Sequence, residues 1–336
     1  MATKIAENLW QLDIPLIGNP LKNLNSYLFL GGERNLLVDT GFRADYCREA
    51  MDAQLKELKV DMDRTDIFLT HQHSDHCGLA VDLIRPGCEI LVGEEDGRAL
   101  TENRTEAAWR RQFDMFIRNG FSQAEMDEEW TSNPAKNLCA PYYEGYHFVE
   151  NGQVLSYGEW QLKTVLTPGH TPGHMCLYDA AHQLLISGDH ILFHITPNIT
   201  RWMGKPGTDA LGAYLNSLDA VGTLPVRTLL PAHRLVTGDL TARIAELKAH
   251  HSQRLRNTYA IVQELPGANA YEIAAKMSWS IRCRSWEDFP LNQKYFAVGE
   301  AMAHLDYLRA RGLVDVDDQN GRDVYYLKAR GGEVLL

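Results

Sequence analysis

Four apolar segments of this chain each end in a loop that opens with histidine or aspartate. The segments span residues 66–69, 161–166, 184–186 and 228–230, and each has the length and composition of a buried strand. Loops that follow neighbouring strands of a sheet can bring their side chains to one point, and such loops are where functional groups collect. Helical patterns between the strands, for example over 43–58, indicate α/β layering. The chain is therefore predicted to fold as an α/β protein with a site at a sheet edge.

The loop after the first segment is the densest in potential metal ligands. Thr70-His71-Gln72-His73-Ser74-Asp75-His76 places three imidazoles and a carboxylate within six residues, whereas a solvated turn needs no such set. Zinc-type hydrolytic sites combine nitrogen ligands with carboxylates and keep one position open for water. The strand-end loops together supply five histidines and two carboxylates, which is enough for two adjacent ions. These candidate metal ligands are His71, His73, Asp75, His76, His170, Asp189 and His233.

The motifs follow one another in a recognisable order. The H-x-H-x-D-H cluster, the T-P-G-H strand end, the G-D turn and a late P-x-H resemble the metallo-β-lactamase-fold hydrolase superfamily over roughly residues 5–240. The all-His/Asp ligand set is similar to that of its glyoxalase II-like branch. The resemblance implies an αββα four-layer sandwich, in which two mixed sheets face each other, helices lie outside, and metals bind at one edge.

The same resemblance assigns roles to the ligands. It implies that His71, His73 and His170 hold one metal ion, that Asp75, His76 and His233 hold a second, and that Asp189 bridges them. Two divalent ions are expected, with zinc as the first candidate and iron or manganese also compatible, because His and Asp accept all three. The metals would produce a bridging hydroxide that attacks a small acyl substrate, namely a thioester, lactone or ester. Asp75 is also the candidate catalytic residue, passing a proton to the leaving group.

Other residues have two interpretations. Asp39 ends a strand and either caps the next element or orients a metal ligand. An aromatic-rich stretch is consistent with a substrate pocket and equally with core packing, while two histidines beyond Asp189 could line the pocket or orient ligands. The candidate pocket residues are Tyr142, Tyr143, Tyr146, His190 and His194. His174 is expected to be structural.

The chain is predicted to contain two domains. Residues 1–240 would form the catalytic domain, with a helical insertion at about 95–150, and residues 241–336 a small α+β domain. Three helical segments and a hairpin around Asn320-Gly321 make this second part winged-helix-like. The resemblance implies an appendage that closes the substrate cleft or mediates assembly, such as a homodimer. Between 292 and 330 six basic residues are balanced by six acidic ones, so DNA binding is not expected.

Charge and cysteine content indicate which classes of binding partner the chain is expected to have. The 336-residue chain carries a formal net charge of -11, which disfavours nonspecific binding to nucleic acid or anionic membranes. Six cysteines without a C-x-x-C pair fit reduced thiols, and no apolar run could span a bilayer, so a cytoplasmic protein is expected. The expected partner is a small-molecule substrate. Two alternatives stay open. A phosphodiesterase or endoribonuclease of the same fold would need a cationic track, for which Arg110-Arg111 and Lys205 are the candidates, and a mononuclear iron oxygenase-type relative would use fewer ligands.

Overall fold

A computed structural model describes residues 1–102, 105–202, 207–280 and 283–328. Lys205 and residues 329–336 of the predicted second domain lie outside the described residues. Seven strands form the first sheet in chain order. They are β1 (Thr3–Ala6), β2 (Leu9–Pro15), β3 (Asn23–Leu30), β4 (Asn35–Val38), β5 (Thr65–Leu69), β6 (Ile90–Gly93) and β7 (Tyr146–Val149). The pairs from β1 to β4 are antiparallel and those from β4 to β7 are parallel, so this sheet is mixed.

The second sheet is also mixed. Its five strands are β8 (Val154–Tyr157), β9 (Trp160–Leu166), β10 (Met175–Asp179), β11 (Leu184–Gly188) and β12 (Thr228–Pro231). Among these described strands, the β11–β12 pair is parallel and the other pairs are antiparallel. In a parallel pair both carboxyl ends lie at the same edge. The loops that follow β11 and β12 therefore leave the sheet side by side.

The helices connect these strands and continue beyond them. They are α1 (Asp45–Glu57), α2 (Ser74–Cys77), α3 (Ala80–Leu83), α4 (Glu94–Glu102), α5 (Glu106–Arg118), α6 (Gln123–Ser132), α7 (Pro134–Asn137), α8 (Ala210–Gly222), α9 (Leu240–Glu264), α10 (Ala270–Lys276) and α11 (Leu291–Ala310). An antiparallel hairpin, β13 (Val314–Gln319) and β14 (Arg322–Leu327), follows α11. The predicted helical segments and Asn-Gly hairpin are thus present, while the comparison with a winged helix stays a prediction.

Alternation along the strands of the first sheet builds a layered core. Leu36 and Val38 of β4 pack in one buried cluster with Leu177 of β10, which joins the two sheets face to face. Leu37, between them, points to the opposite face and packs in a second cluster with Met51 of α1. Successive side chains of a strand point to opposite faces, so a strand buried on both sides is apolar at every position. This arrangement confirms the predicted α/β sandwich of two facing mixed sheets with helices.

The chain divides into two compact units. The first consists of Met1–Arg104, Pro134–Pro197 and Ser217–Ile244, and contains both sheets. The second consists of Thr105–Asn133, Asn198–Asn216 and Ala245–Leu336, and contains the hairpin. The predicted boundary at 240 and the predicted insertion stay predictions. No helix in the described ranges is long and apolar enough to cross a membrane.

The segment that contains the end of the histidine cluster forms two short helices, α2 and α3, instead of one. The structure places Asp75 and His76 inside α2, and a separate helix, α3, follows. The break has a local cause, because the backbone carbonyl of His76 accepts hydrogen bonds from Thr40 N at 2.7 Å and Thr40 Oγ1 at 2.8 Å. The same hydroxyl accepts from Leu79 N. Thr40, which lies outside the helix, therefore donates to the carbonyl that would accept from a backbone N–H if the helix continued.

Candidate metal centre

The predicted ligands all lie beyond the carboxyl ends of strands in the first unit. His71 follows β5, and the short helix α2 presents Asp75 and His76 directly afterwards. His170 follows β9, while the remaining two, Asp189 and His233, follow the parallel strands β11 and β12. The structure brings the seven residues together in three overlapping groups, within each of which the ligand atoms lie within 4.8 Å of one another. The groups are His71, His73 and His170; His71, His76 and Asp189; and Asp75, His76 and His233.

Asp189 reaches two of these groups with different oxygen atoms. Its Oδ2 lies 3.5 Å from His170 Nε2. Its Oδ1 lies 3.6 Å from His76 Nε2 and 3.4 Å from His233 Nε2. A carboxylate in this position can serve two adjacent cations, one through each oxygen.

The other contacts lie within the two sides of the cluster. The first side consists of His71, His73 and His170, and the second side of Asp75, His76 and His233. On the first side, His71 Nε2 lies 3.0 Å from His73 Nδ1. On the second side, Asp75 Oδ2 lies 3.4 Å from His233 Nε2 and 3.9 Å from His76 Nε2. His71, His76 and His233 are fully buried, whereas Asp75 and Asp189 keep 8% and 6% of their surface exposed. The two carboxylates, together with the half-buried His73, therefore lie where the cluster meets solvent.

The unpartnered atoms of the cluster fit a bound cation. His76 Nε2, His233 Nε2 and Asp189 Oδ1 are buried and have no hydrogen-bond partner among the described residues. Buried polar atoms are normally hydrogen-bonded, and exceptions need an explanation such as an ion. Separations of 3.4–3.6 Å are long for hydrogen bonds but suit atoms arranged around one metal. The donor set, imidazole nitrogen with carboxylate oxygen, is the one that zinc and related divalent ions use.

Neighbouring acceptors fix the tautomers on the second side. His76 Nδ1 donates to Asp39 Oδ2 at 2.8 Å, and His233 Nδ1 donates to the carbonyl oxygen of Asn23 at 2.8 Å. A carboxylate or carbonyl only accepts, so the proton of each neutral ring is on Nδ1 and the lone pair of Nε2 faces the cluster. Asp39 also accepts from Thr70 N and Thr70 Oγ1, both at 2.8 Å. Of its two interpretations, the contacts of Asp39 favour the orientation of a ligand.

The two sides differ in charge. Burial, together with the neighbouring histidines, lowers the pKa of His71 well below its ordinary value and that of His73 to about 3, so these rings are neutral. Burial also acts to lower the pKa of His76, but Asp39, Asp189 and Asp75 outweigh it and raise this pKa. Burial would raise the pKa of Asp75, yet His76 and His233 lower it to about 2. Without a bound cation, the second side is therefore an ion-paired cluster, whereas His71 and His73 of the first side are neutral.

The candidate pocket residues occupy different environments. Tyr142 is 62% exposed and donates to Glu144, whereas Tyr143 and Tyr146 pack edge to face, with ring centroids 5.3 Å apart, and join the core cluster. His190 is fully buried beside Asp189. His194 is exposed and contacts Thr237 Oγ1 through Nε2 at 3.1 Å. A substrate-pocket role for these residues stays a prediction.

Two residues close to the cluster have contacts that the sequence analysis did not foresee. His174, expected to be structural, accepts a hydrogen bond from Asp189 N on Nε2 at 3.2 Å, and its Nδ1 lies 2.8 Å from Thr167 Oγ1. Asp96, which was not singled out, is fully buried against the loops that carry His71 and His170. The signal was present, because Asp96 follows an apolar strand, β6, as the ligands follow theirs.

Comparison with known proteins agrees with this geometry. A profile described as the metallo-beta-lactamase superfamily matches residues 20–233. The chain is 26% identical over 249 residues to the lactamase-like protein aptB of Emericella nidulans, covering 73% of this chain and 62% of aptB. It is 24% identical over 240 residues to the atrochrysone carboxyl ACP thioesterase AacuM of Aspergillus aculeatus, covering 71% of this chain and 60% of AacuM. The chain thus spans about three fifths of the length of these relatives.

Solved structures share the fold over most of the chain. The metallo-beta-lactamase family protein TTHA1429 from Thermus thermophilus has a TM-score of 0.79 and 27% identity, covering 97% of this chain and 100% of its own. A beta-lactamase domain protein from Burkholderia ambifaria has a TM-score of 0.83 and 25% identity, covering 97% of this chain and 94% of its own. The subclass B3 metallo-beta-lactamase BJP-1 of Bradyrhizobium japonicum, at 15% identity, covers 78% of this chain and 96% of its own with a TM-score of 0.55 and shares the fold alone.

Proposed function

Because this chain belongs to the metallo-β-lactamase superfamily, we propose that it is a metal-dependent hydrolase whose centre holds two divalent cations. His71, His73 and His170 would hold one cation, and Asp75, His76 and His233 the other. The observation that carries the proposal is Asp189, whose two carboxylate oxygens face the two sides separately at 3.4–3.6 Å from their histidines. When bound, two such cations lower the pKa of a water molecule shared between them, which supplies hydroxide near neutral pH.

The residues of the chain prepare this chemistry in two ways. The neutral His71 and His73 offer lone pairs without first losing a proton, which favours cation binding near neutral pH. Asp75 lies where the cluster meets solvent, so its carboxylate is placed to pass a proton to the leaving group. An Asp75→Asn variant that keeps its metal content and full turnover would rule out this second role.

A small acyl substrate is the class that we propose, with a thioester as the first candidate. The relative AacuM is described as an acyl-carrier-protein thioesterase, and the ligand set of this chain contains only His and Asp, as in the glyoxalase II-like branch. Lactones and simple esters present the same electrophilic carbonyl. Zinc is the first candidate metal, and iron or manganese would satisfy the same donors.

The nuclease alternative has less support from the contacts of Arg110, one of its candidate cations. Arg110 donates to Glu106 Oε1 through Nε at 2.9 Å and Nη2 at 2.5 Å, and its guanidinium also lies 5.5 Å from the centroid of the Trp130 ring. Its charge is therefore largely matched within its own unit. The mononuclear oxygenase alternative does not explain why ligand atoms gather on both sides of Asp189.

We propose that the second unit contains a winged-helix-like domain that does not bind DNA. The hairpin is acidic, because it carries four aspartates and a single basic residue, Arg322. Arg118 of the same unit pairs with Asp318 Oδ2 at 2.8 Å and with Asp323 Oδ1 at 2.6 Å. An acidic hairpin repels phosphate groups. Titration of labelled duplex DNA with the full chain should show no binding at low micromolar protein in about 0.15 M salt.

A hydrolysis panel on metal-quantified protein tests the proposed activity. Thioesters, lactones, esters, phosphodiesters and RNA are assayed with the wild-type chain and with His71→Ala. We expect hydrolysis of an acyl substrate that falls by at least about a hundredfold in His71→Ala, because the first cation loses a ligand. Hydrolysis that persists unchanged in His71→Ala would refute the proposal. A clear preference for phosphodiesters or RNA would favour the nuclease instead.

A further inference from the structure

Asp96 is a buried carboxylate in the first turn of α4 that is not among the candidate metal ligands. Its side chain is fully buried and accepts three hydrogen bonds. Oδ2 accepts from Gln72 N at 3.0 Å and from Thr171 Oγ1 at 2.6 Å, while Oδ1 accepts from Gly173 N at 2.7 Å. Hydrogen bonds to an ionised acceptor are stronger than those between neutral groups. Asp96 therefore holds these donors firmly.

These donors belong to the two loops that present the first group of ligands. Gln72 lies between His71 and His73, and Thr171 follows His170. The two loops are far apart in sequence, yet one oxygen atom of Asp96 accepts a hydrogen bond from each. This oxygen atom therefore links the two loops that carry the three imidazoles.

The packing around Asp96 leaves these loops little freedom to shift. A methyl group at Gly173 would overlap the backbone nitrogen of Asp96, and one at Gly93, where β6 ends, would overlap the carbonyl oxygen of Gly173. The loop that follows His170 thus lies directly on the backbone that joins β6 to α4. Close backbone approach of this kind requires glycine at both positions.

We propose that Asp96 is a positioning residue for the first metal site. It holds the two loops that carry His71, His73 and His170 in fixed relative positions, so that their imidazoles converge on one cation. The inference rests on the proposed metal centre. Its effect should be confined to the first side, because the second side has its own supports: Asp39 orients His76, and the carbonyl of Asn23 orients His233.

Asp96→Asn, in the full chain, provides the test. Asparagine keeps the size of the side chain but has only one acceptor oxygen, so its NH₂ group faces donors in either orientation. It opposes Gly173 N if the oxygen stays at the Oδ2 position, and Gln72 N and Thr171 Oγ1 if it does not. Asp179→Asn is the matched control, because Asp179 is also fully buried in the first unit and accepts from two backbone nitrogens, those of Gln161 and His182, both at 2.9 Å.

Metal-free proteins are titrated with Zn²⁺ against a chromophoric chelator, and His170→Ala and His233→Ala assign the two binding steps to the first and second sites. We expect Asp96→Asn to weaken the first-site step by about 10–100-fold and to leave the second within about threefold, as loss of support for metal ligands does. Asp179→Asn should leave both steps within about threefold.

Two results would overturn the inference: Asp96→Asn binds zinc as Asp179→Asn does, or it weakens both steps equally. If Asp96→Asn does not fold, Thr171→Val decides, because it removes only the 2.6 Å hydrogen bond. That variant should weaken the first-site step by about tenfold, and a change below twofold refutes the role of Asp96. If the wild-type chain binds no zinc, the proposed metal centre itself is refuted. This result is distinct from a failure of the role proposed for Asp96, in which the wild-type chain still binds zinc.

Discussion

Substituting Asp39 by asparagine is expected to change the tautomer of His76 and the hydrogen bond of the Thr70 hydroxyl. Asp39 Oδ1 accepts from Thr70 N, and Oδ2 accepts from His76 Nδ1 and Thr70 Oγ1, all at 2.8 Å. The backbone of Asp39 has a φ of 60°, a conformation that asparagine adopts as readily as aspartate, so backbone strain does not enter. If the amide oxygen of asparagine keeps the Thr70 N–H, its NH₂ group faces His76 Nδ1. His76 must then accept on Nδ1 and carry its proton on Nε2, the atom that faces the metal cluster.

The expected result is a weaker second metal site. Loss of a ligand's supporting hydrogen bond costs about 10–100-fold in metal affinity, or about 1.4–2.8 kcal/mol. Calorimetric titration of the metal-free protein with Zn²⁺ measures this loss. The step assigned to the first side should weaken less, because Asp39 reaches His71 only through Thr70 Oγ1, which lies 3.1 Å from His71 Nδ1. Asp66→Asn is the control, since Asp66 is also buried and accepts from the backbone nitrogen of Glu89, but lies at the opposite end of β5. Affinity within twofold of wild type in Asp39→Asn would refute the reasoning.

Three further predictions concern stability, measured as free energies of unfolding in urea. Burial would raise the pKa of Asp66, but Arg34, the Glu89 amide and Tyr157 lower it, so its contribution is present above about pH 4 and is lost as the pH falls through the lowered value. Asp66→Asn should therefore cost about 2 kcal/mol at pH 7 and less at pH 3; an equal cost at both would contradict this. Ser122→Ala, which removes the capping box of α6, should cost about 1 kcal/mol, and no loss would show that the cap is dispensable. Leu177→Ala should cost about 3 kcal/mol, and a loss below 1 kcal/mol would contradict tight packing between the sheets.

The sequence was most informative where function and local pattern coincide. His71, His73, Asp75 and His76 are close in sequence, and each later ligand candidate directly follows an apolar strand, so their convergence could be predicted from strand ends alone. The burial of the first sheet on both faces was likewise visible as continuous apolar runs such as Ile67-Phe68-Leu69.

Contacts between distant segments could not be predicted in this way. Asp96 contacts Gln72 and Thr171, which are 24 and 75 residues away, and neither contact leaves a periodic trace in the sequence. The interruption between α2 and α3 depends on Thr40, which lies outside the helix and donates a hydrogen bond to the carbonyl of His76. Local patterns specify elements, whereas these contacts depend on how the loops pack.

The two-metal centre is the central claim, and the metal content of purified, dialysed protein tests it most directly. We expect about two divalent ions per wild-type chain, and about one in His170→Ala and in His233→Ala, because each substitution removes a ligand from one side of Asp189. Elemental analysis measures this ratio against protein concentration. A ratio of one or less in the wild type after zinc reconstitution, or an unchanged ratio in both variants, would contradict the account.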